Sequence, residues 1–337
     1  MARATLKDVA ARAGVSYQTV SNVVNGQNGM SSATREVVLQ AMAALDYQPN
    51  HAARAMRMAR ANTIAYVVYA PTAASFADPY VGRILDGLHR TLRGERYDLM
   101  THVLASTDPE ELDALRALFR GGRVDGAVLV AGQVPDDLVT ALAAWPHPLV
   151  TFDLVREGGA PGVTAAHRDG VMGAVAHLAA RGRRRIAFVA GPSPSPHSVA
   201  ARREQGYRDG LAAVGLQYDP TLVVEGDWSH ASGRAALGTL LTRGERPDAV
   251  IAASDAMAVG VIGEARSRFM RVPEDLAVVG FDDFDFATWV DPALTTVRLP
   301  VQAMAEHAAQ ALLARIAGEP TPAGDVLPVS LVVRGSA

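Results

Sequence analysis

The sequence predicts two unlike parts: a small all-α helix-turn-helix headpiece, and a larger α/β domain of two doubly wound parallel-sheet lobes. Three observations carry this. The chain has 337 residues, more than one compact core holds. Residues 1–60 carry seven Lys and Arg against three acids, although the whole chain has a formal net charge of -3. From Thr63 onward, short apolar runs alternate with amphipathic stretches of helical period. A basic head on an acidic body suits a polyanion-binding module attached to something else.

Composition bounds the rest. At 49% hydrophobic and 20% charged residues, the chain is ordinary for a globular protein. It has no cysteine, which excludes a disulfide framework, thiol catalysis and Cys-ligated zinc. No apolar run is long enough to span a membrane, and the N-terminus lacks the apolar core of a signal peptide, so a cytoplasmic location is expected.

In the headpiece, Thr5 is a good N-cap, and Asp8 three residues on makes a capping-box-like start. Leu6, Val9, Ala10 and Ala13 recur at helical spacing until Gly14 ends the helix. Ser16 then caps a second helix from Tyr17 to Val24, with Val20, Val23 and Val24 expected inward and Tyr17, Gln18, Ser21 and Asn22 outward. Two short helices around a glycine-containing turn, the second with a polar outer face, form a helix-turn-helix. A third helix, capped at Ser31 or Ser32, is expected to bury Val37, Val38, Met42 and Leu45. After Pro49, residues 50–60 are rich in helix formers, yet make only two to three turns.

The body, residues 62–337, shows apolar runs at Ile64–Tyr69, Asp98–Val103, Gly126–Val130, Pro148–Phe152, Ile186–Ala190, Ala249–Ala253 and Leu276–Gly280. Helical patterns lie between them, the arrangement of parallel sheets covered on both faces. Ligands in such folds sit beyond the carboxyl ends of the strands. The polar and aromatic residues there are Asp153, Trp228, Asp255 and Asp282, with Arg203 on a helix and Phe76 in the loop after the first strand. An arginine, several carboxylates and aromatic faces around one cleft suit a neutral polyol.

The string from Thr5 to Ser21, with Val24-Asn25, Ser31, Thr34-Arg35 and Leu45-Asp46-Tyr47-Gln48-Pro49-Asn50, resembles the LacI-family headpiece. So do Ile186–Pro192, Ser254–Gly260 and Val272–Asp283 of that family's effector domain, and the likeness runs essentially the whole chain. The resemblance implies a headpiece over 1–48, a hinge helix over 49–61 and a periplasmic-binding-protein-like effector domain over 62–337. It implies an N-lobe of about 62–160 and 292–320, and a C-lobe of about 161–291 and 321–337. Tyr17, Gln18 and Asn22 would meet base edges in the major groove, with Met56 wedged into the minor groove. Thr5, Ser16, Thr19, Ser21, Asn25, Ser31, Thr34, Tyr47 and Asn50 would hold phosphates. Phe76, Asp153, Arg203, Trp228, Asp255 and Asp282 would bind the effector.

Family members commonly carry Arg at the position of Asn22, so base preference there is expected to differ. Ala166-His167 replaces a frequent Asp-Asn pair and Ser254 a common Asn, which bears on the ligand's identity. The implied function is a cytoplasmic, nucleoid-associated repressor: a homodimer on double-stranded operator DNA, released by a small-molecule effector such as a sugar or glycoside. Co-repression and nucleoside effectors stay open. A sugar-transport binding protein is disfavoured by the headpiece and the absent signal peptide. No metal or cofactor is expected, and no Walker A loop, Gly-x-Gly-x-x-Gly, His-Glu-x-x-His or Gly-x-Ser-x-Gly motif points to an enzyme.

Overall fold

The computed structural model describes residues 4–24, 30–47, 60–70, 78–156 and 159–337; the expectations for Asn25, Asn50, Met56 and Phe76 lie outside the described residues. The chain forms two compact units, residues 1–61 and 62–337.

In the first unit, α1 (Leu6–Ala13), α2 (Tyr17–Val24) and α3 (Ser32–Ala44) enclose a core of Val9, Val20, Val23, Val38, Ala41 and Tyr47. The capping box forms, with the Thr5 N–H donating to Asp8 Oδ2 at 2.8 Å and the Thr5 hydroxyl accepting from the Asp8 N–H. Gly14 closes α1 in the left-handed region at φ +65°, the conformation a C-cap glycine adopts without strain.

Two side chains turn opposite to expectation. Val37 is 45% exposed, because the stripe that α3 buries is Val38, Ala41, Met42 and Leu45, spaced i, i+3, i+4, i+7. Ser21 is only 5% exposed. Since α2 packs against both α1 and α3, its buried arc extends beyond the valine stripe and takes in the small side chain beside it.

The second unit contains two six-stranded sheets. The first joins β1 (Thr63–Tyr69), β2 (Asp98–Leu104), β3 (Gly126–Val130), β4 (Leu149–Phe152), β5 (Gly162–Ala165) and β11 (Gly324–Leu327) in the order β11-β5-β4-β3-β1-β2, all parallel. The second joins β6 (Ile186–Ala190), β7 (Val223–Glu225), β8 (Ala249–Ala252), β9 (Ala277–Asp282), β10 (Thr295–Arg298) and β12 (Ser330–Val332) in the order β12-β10-β9-β8-β6-β7. There only the β10–β12 pair is antiparallel.

Helices cover both faces. On β1, Ile64, Tyr66 and Val68 pack with α4 (Pro79–Gly94) and α11 (Val301–Ala317), while Ala65 and Val67 pack with α5 (Pro109–Arg120) and α6 (Asp136–Ala143). Burial on both sides is why this strand reads as a continuous apolar run. The second sheet carries α7 (His167–Ala180), α8 (Val199–Ala213), α9 (His230–Thr242) and α10 (Asp255–Ser267). No helix among the described residues is long and apolar enough to cross a membrane.

The lobe boundaries differ from the expected ones. β5 belongs to the first sheet and β10 to the second, so the chain crosses at residues 166, 299–300 and 328–329. The expected crossings all come too early. β5 and β11 are four residues each and β10 is another four, too short to stand out from connecting segments by apolar content. Only their pairing with neighbouring strands reveals them.

Candidate functional site

On the headpiece, α2 presents Tyr17, 44% exposed, with Gln18 exposed and Asn22 half-buried beside it. Gln18 Nε2 donates to Asn22 Oδ1 at 2.9 Å, so the two amides form one polar edge. Thr5, Ser16 and Ser31 all stand at helix N-termini. Ser16 Oγ accepts from the Thr19 N–H and Ser31 Oγ from the Thr34 N–H, each at 3.1 Å. Unpaired amides and the helix dipole make such ends attractive to phosphate. Ser21 and Tyr47 are instead turned inward; Tyr47 is part of the small core.

In the second unit a buried polar chain runs between the lobes. Arg203 projects from α8 and is 3% exposed. Its Nη2 donates to Asp282 Oδ1 at 3.3 Å, its Nη1 to the Ala253 carbonyl and its Nε to His167 Nδ1 at 3.4 Å. His167 Nε2 in turn lies 3.0 Å from Asp153 Oδ1, and Tyr80 donates its hydroxyl to Asp153 Oδ2. Asp153 and Tyr80 belong to the first lobe, while His167, Arg203 and Asp282 belong to the second.

Aromatic rings floor this chain. The Arg203 guanidinium carbon sits 3.9 Å from the Phe281 ring centre and 5.7 Å from that of Trp228. The Trp228 indole packs against Gly191, where any β-carbon would fall 2.1 Å from the ring. Its Nε1 is buried with no hydrogen-bond partner among the described residues, a donor left for something else to satisfy.

Environment sets the charges. Burial pushes the Asp153 carboxyl up, but the hydrogen bonds of His167 and Tyr80, with the Arg203 charge nearby, outweigh it and hold Asp153 below its ordinary value. Burial drives Asp282 well above the usual carboxylate range, against the pull of Arg203. It raises the Tyr80 hydroxyl too, and Asp153 beside it adds to the effect. Backbone strain gathers in the same place. Asp153, Trp228, Asp282 and Asp283 have φ of +65°, +72°, +120° and +58°, four of the eight non-glycine residues in that region among those described.

Asp255 is the exception among the expected ligands. It is fully buried at the start of α10, where it accepts from the Phe284 N–H at 2.8 Å and from the Thr296 hydroxyl. Both oxygens are therefore spent on fixing the segment after β9 to β10. Burial lifts its pKa to about 7 against those hydrogen bonds.

Residues 5–50 match the model of bacterial regulatory proteins of the lacI family, and residues 175–337 that of a periplasmic binding protein-like domain. The HTH-type transcriptional regulator CelR of Thermobifida fusca is 39% identical over 342 residues, covering 99% of this chain and 98% of that protein. The chain belongs to the LacI family of bacterial transcription regulators. A solved CelR–cellobiose complex has a TM-score of 0.76 at 36% identity, covering 99% of this chain and all of that one. A crystal structure of the lac repressor dimer bound to operator and the anti-inducer ONPF has a TM-score of 0.88 at 29% identity, with 99% of each chain covered.

Several cleft residues of this LacI-family regulator escaped the sequence. His167 was visible only as a substitution in a family pattern, and Tyr80 gave no signal of its own. Arg202 and Arg83 also join the lobes. Arg202 donates to Thr164 Oγ1 at 3.2 Å and the Val155 carbonyl at 3.3 Å, and Arg83 to the Asp283 carbonyl at 3.0 Å and Asp285 at 2.9 Å. Their partners are up to 202 positions away, a separation no local pattern encodes.

Proposed function

We propose that the protein is a repressor that binds a pseudo-palindromic operator as a homodimer in the cytoplasm and leaves it when a sugar or glycoside occupies the cleft between the lobes. The observation that carries this reading is the Arg203–Asp282 pair, with the Phe281 and Trp228 rings beside the guanidinium. Charged edges fix hydroxyl groups, and an aromatic face covers the apolar side of a sugar ring. The cellobiose complex of CelR supports the same ligand class.

On the DNA side, Tyr17, Gln18 and Asn22 would read base edges, while the caps Thr5, Ser16 and Ser31, with Thr19 and Thr34, would hold phosphates. Phe76 and Met56 would complete the cleft and the minor-groove wedge. Asp255 would act on the effector only through the loop it anchors. Closure of the lobes on ligand would bias the segment joining headpiece and lobes, shifting the population away from the DNA-binding form.

The test is operator selection from a random library, followed by fluorescence anisotropy with cellobiose added. Retention of one palindromic fragment and its release by cellobiose or a related glycoside supports the reading. No selected fragment, or none that responds to any glycoside, refutes it.

A further inference from the structure

We infer that His167 is the positioning residue of the cleft, a neutral strut that ties the carboxylate of one lobe to the guanidinium of the other. It stands on the first turn of α7, immediately after the first crossing between lobes. Its side chain is wholly buried and both ring nitrogens are occupied. The nitrogen facing Arg203 Nε–H must accept, since that guanidinium nitrogen can only donate. Nδ1 is therefore the bare nitrogen and Nε2 carries the proton, which it gives to Asp153 Oδ1 at 3.0 Å. Phe281 stacks on the ring with centroids 5.7 Å apart and so fixes its plane.

This geometry has a consequence for binding. His167 takes one oxygen of Asp153 and Tyr80 the other, while Arg203 gives its Nε to His167, so the strut sets how both groups face a ligand. Which hydroxyl pattern fits then depends on a residue that need not touch the ligand. A protonated ring would set a second N–H against Arg203 Nε–H and break the strut. The charged and titratable groups around the ring are Asp153 from the end of β4, Arg202 and Arg203 from α8, Asp282 from β9 and Tyr80 from α4. Burial first, and then the two arginines, hold His167 below the usual imidazole range despite the pull of Asp153.

The inference rests on the sugar-cleft reading only for its second test. The first is long-range ¹H–¹⁵N correlation spectroscopy of the full chain without ligand, the His167 signals being assigned by their loss in His167→Gln. A neutral Nε2–H ring that resists protonation as the pH falls through about 6.5 is expected, that being the ordinary imidazole value. An Nδ1–H ring, or one titrating like a free side chain, overturns the strut.

The second test is calorimetric titration with cellobiose. Gln reaches toward Asp153 but offers Arg203 no acceptor in place of Nδ1, and Asn keeps an acceptor near Arg203 but falls short of Asp153. Both substitutions are expected to weaken binding about tenfold or more, in variants that keep the wild-type circular dichroism spectrum. The wild-type protein alone is expected to lose cellobiose affinity as the pH drops well below about 6.5. Variants with wild-type affinity and the same pH profile overturn the inference. A wild type that ignores cellobiose but shows the Nε2–H ring excludes cellobiose as the ligand and leaves the strut standing.

Discussion

Arg203 and Asp282 meet at 3.3 Å with side chains only 4% and 8% exposed, although 79 positions separate them in the chain. Removing Arg203 takes away the charge that opposes the burial of Asp282 and a buried hydrogen-bond donor, which costs about 1–3 kcal/mol. Arg203→Ala is therefore expected to lower the melting temperature of the second unit measurably and to abolish release by cellobiose. Operator binding is expected to persist, since the headpiece has a core of its own. Anisotropy with and without sugar checks both halves; sugar release at wild-type concentrations would count against the role given to Arg203.

Asp255 makes a pH-dependent contribution whose sign is fixed. Its folded pKa, about 7, lies above the ordinary aspartate value of about 3.9. Folding thus favours the protonated form: the stability it lends is full below about pH 4 and is lost as the pH rises toward 7. Over that window the change is on the order of 4 kcal/mol. Asp255→Asn has no such titration. Denaturant unfolding of both proteins from pH 4 to pH 8 is expected to show wild-type stability falling relative to the variant as pH rises. A constant difference would contradict the buried, protonated carboxyl.

Gly206 lets α8 approach α7 so closely that a β-carbon there would lie 2.3 Å from the Arg168 carbonyl oxygen. Arg203 stands one turn earlier on the same helix, so the close approach also delivers its guanidinium to His167. Gly206→Ala is expected to cost about 1–3 kcal/mol through overpacking and to weaken cellobiose binding as well. Thermal melts and calorimetry on the same preparation test this. Unchanged values in both would mean that the helices have room to part.

In the proposed reading, Asn22 meets a base edge. An amide pairs with adenine and a guanidinium with guanine, each contact carrying about 1–3 kcal/mol of discrimination. Asn22→Arg is expected to move the preferred base at one symmetric operator position from adenine to guanine and to leave the others alone. Repeating the operator selection with the variant checks it. A uniform loss across all positions would place Asn22 on the backbone instead.

The headpiece was legible because its determinants are local. The Thr5–Asp8 capping box, Gly14 at φ +65° and the Ser16 and Ser31 caps are all satisfied within a few residues, so the linear order suffices. The same holds for strands buried on both faces, such as β1, whose apolar content has no competing explanation. Ser21 shows where local pattern stops, because a helix packed against two others buries an arc set by its neighbours.

The sequence by itself thus determined the two-part architecture, the family, and the places where polar residues follow strands. Tertiary structure alone decided what those residues do. It turned Asp255 inward to Thr296 and Phe284, and set the crossings by pairing four-residue strands with distant partners. It also placed His167 between Asp153 and Arg203. The physical reason is one of range. Caps and periodicity act over one or two helical turns, whereas the pairing of buried charges is settled only when two lobes, built from segments far apart in the chain, close on the same few ångströms.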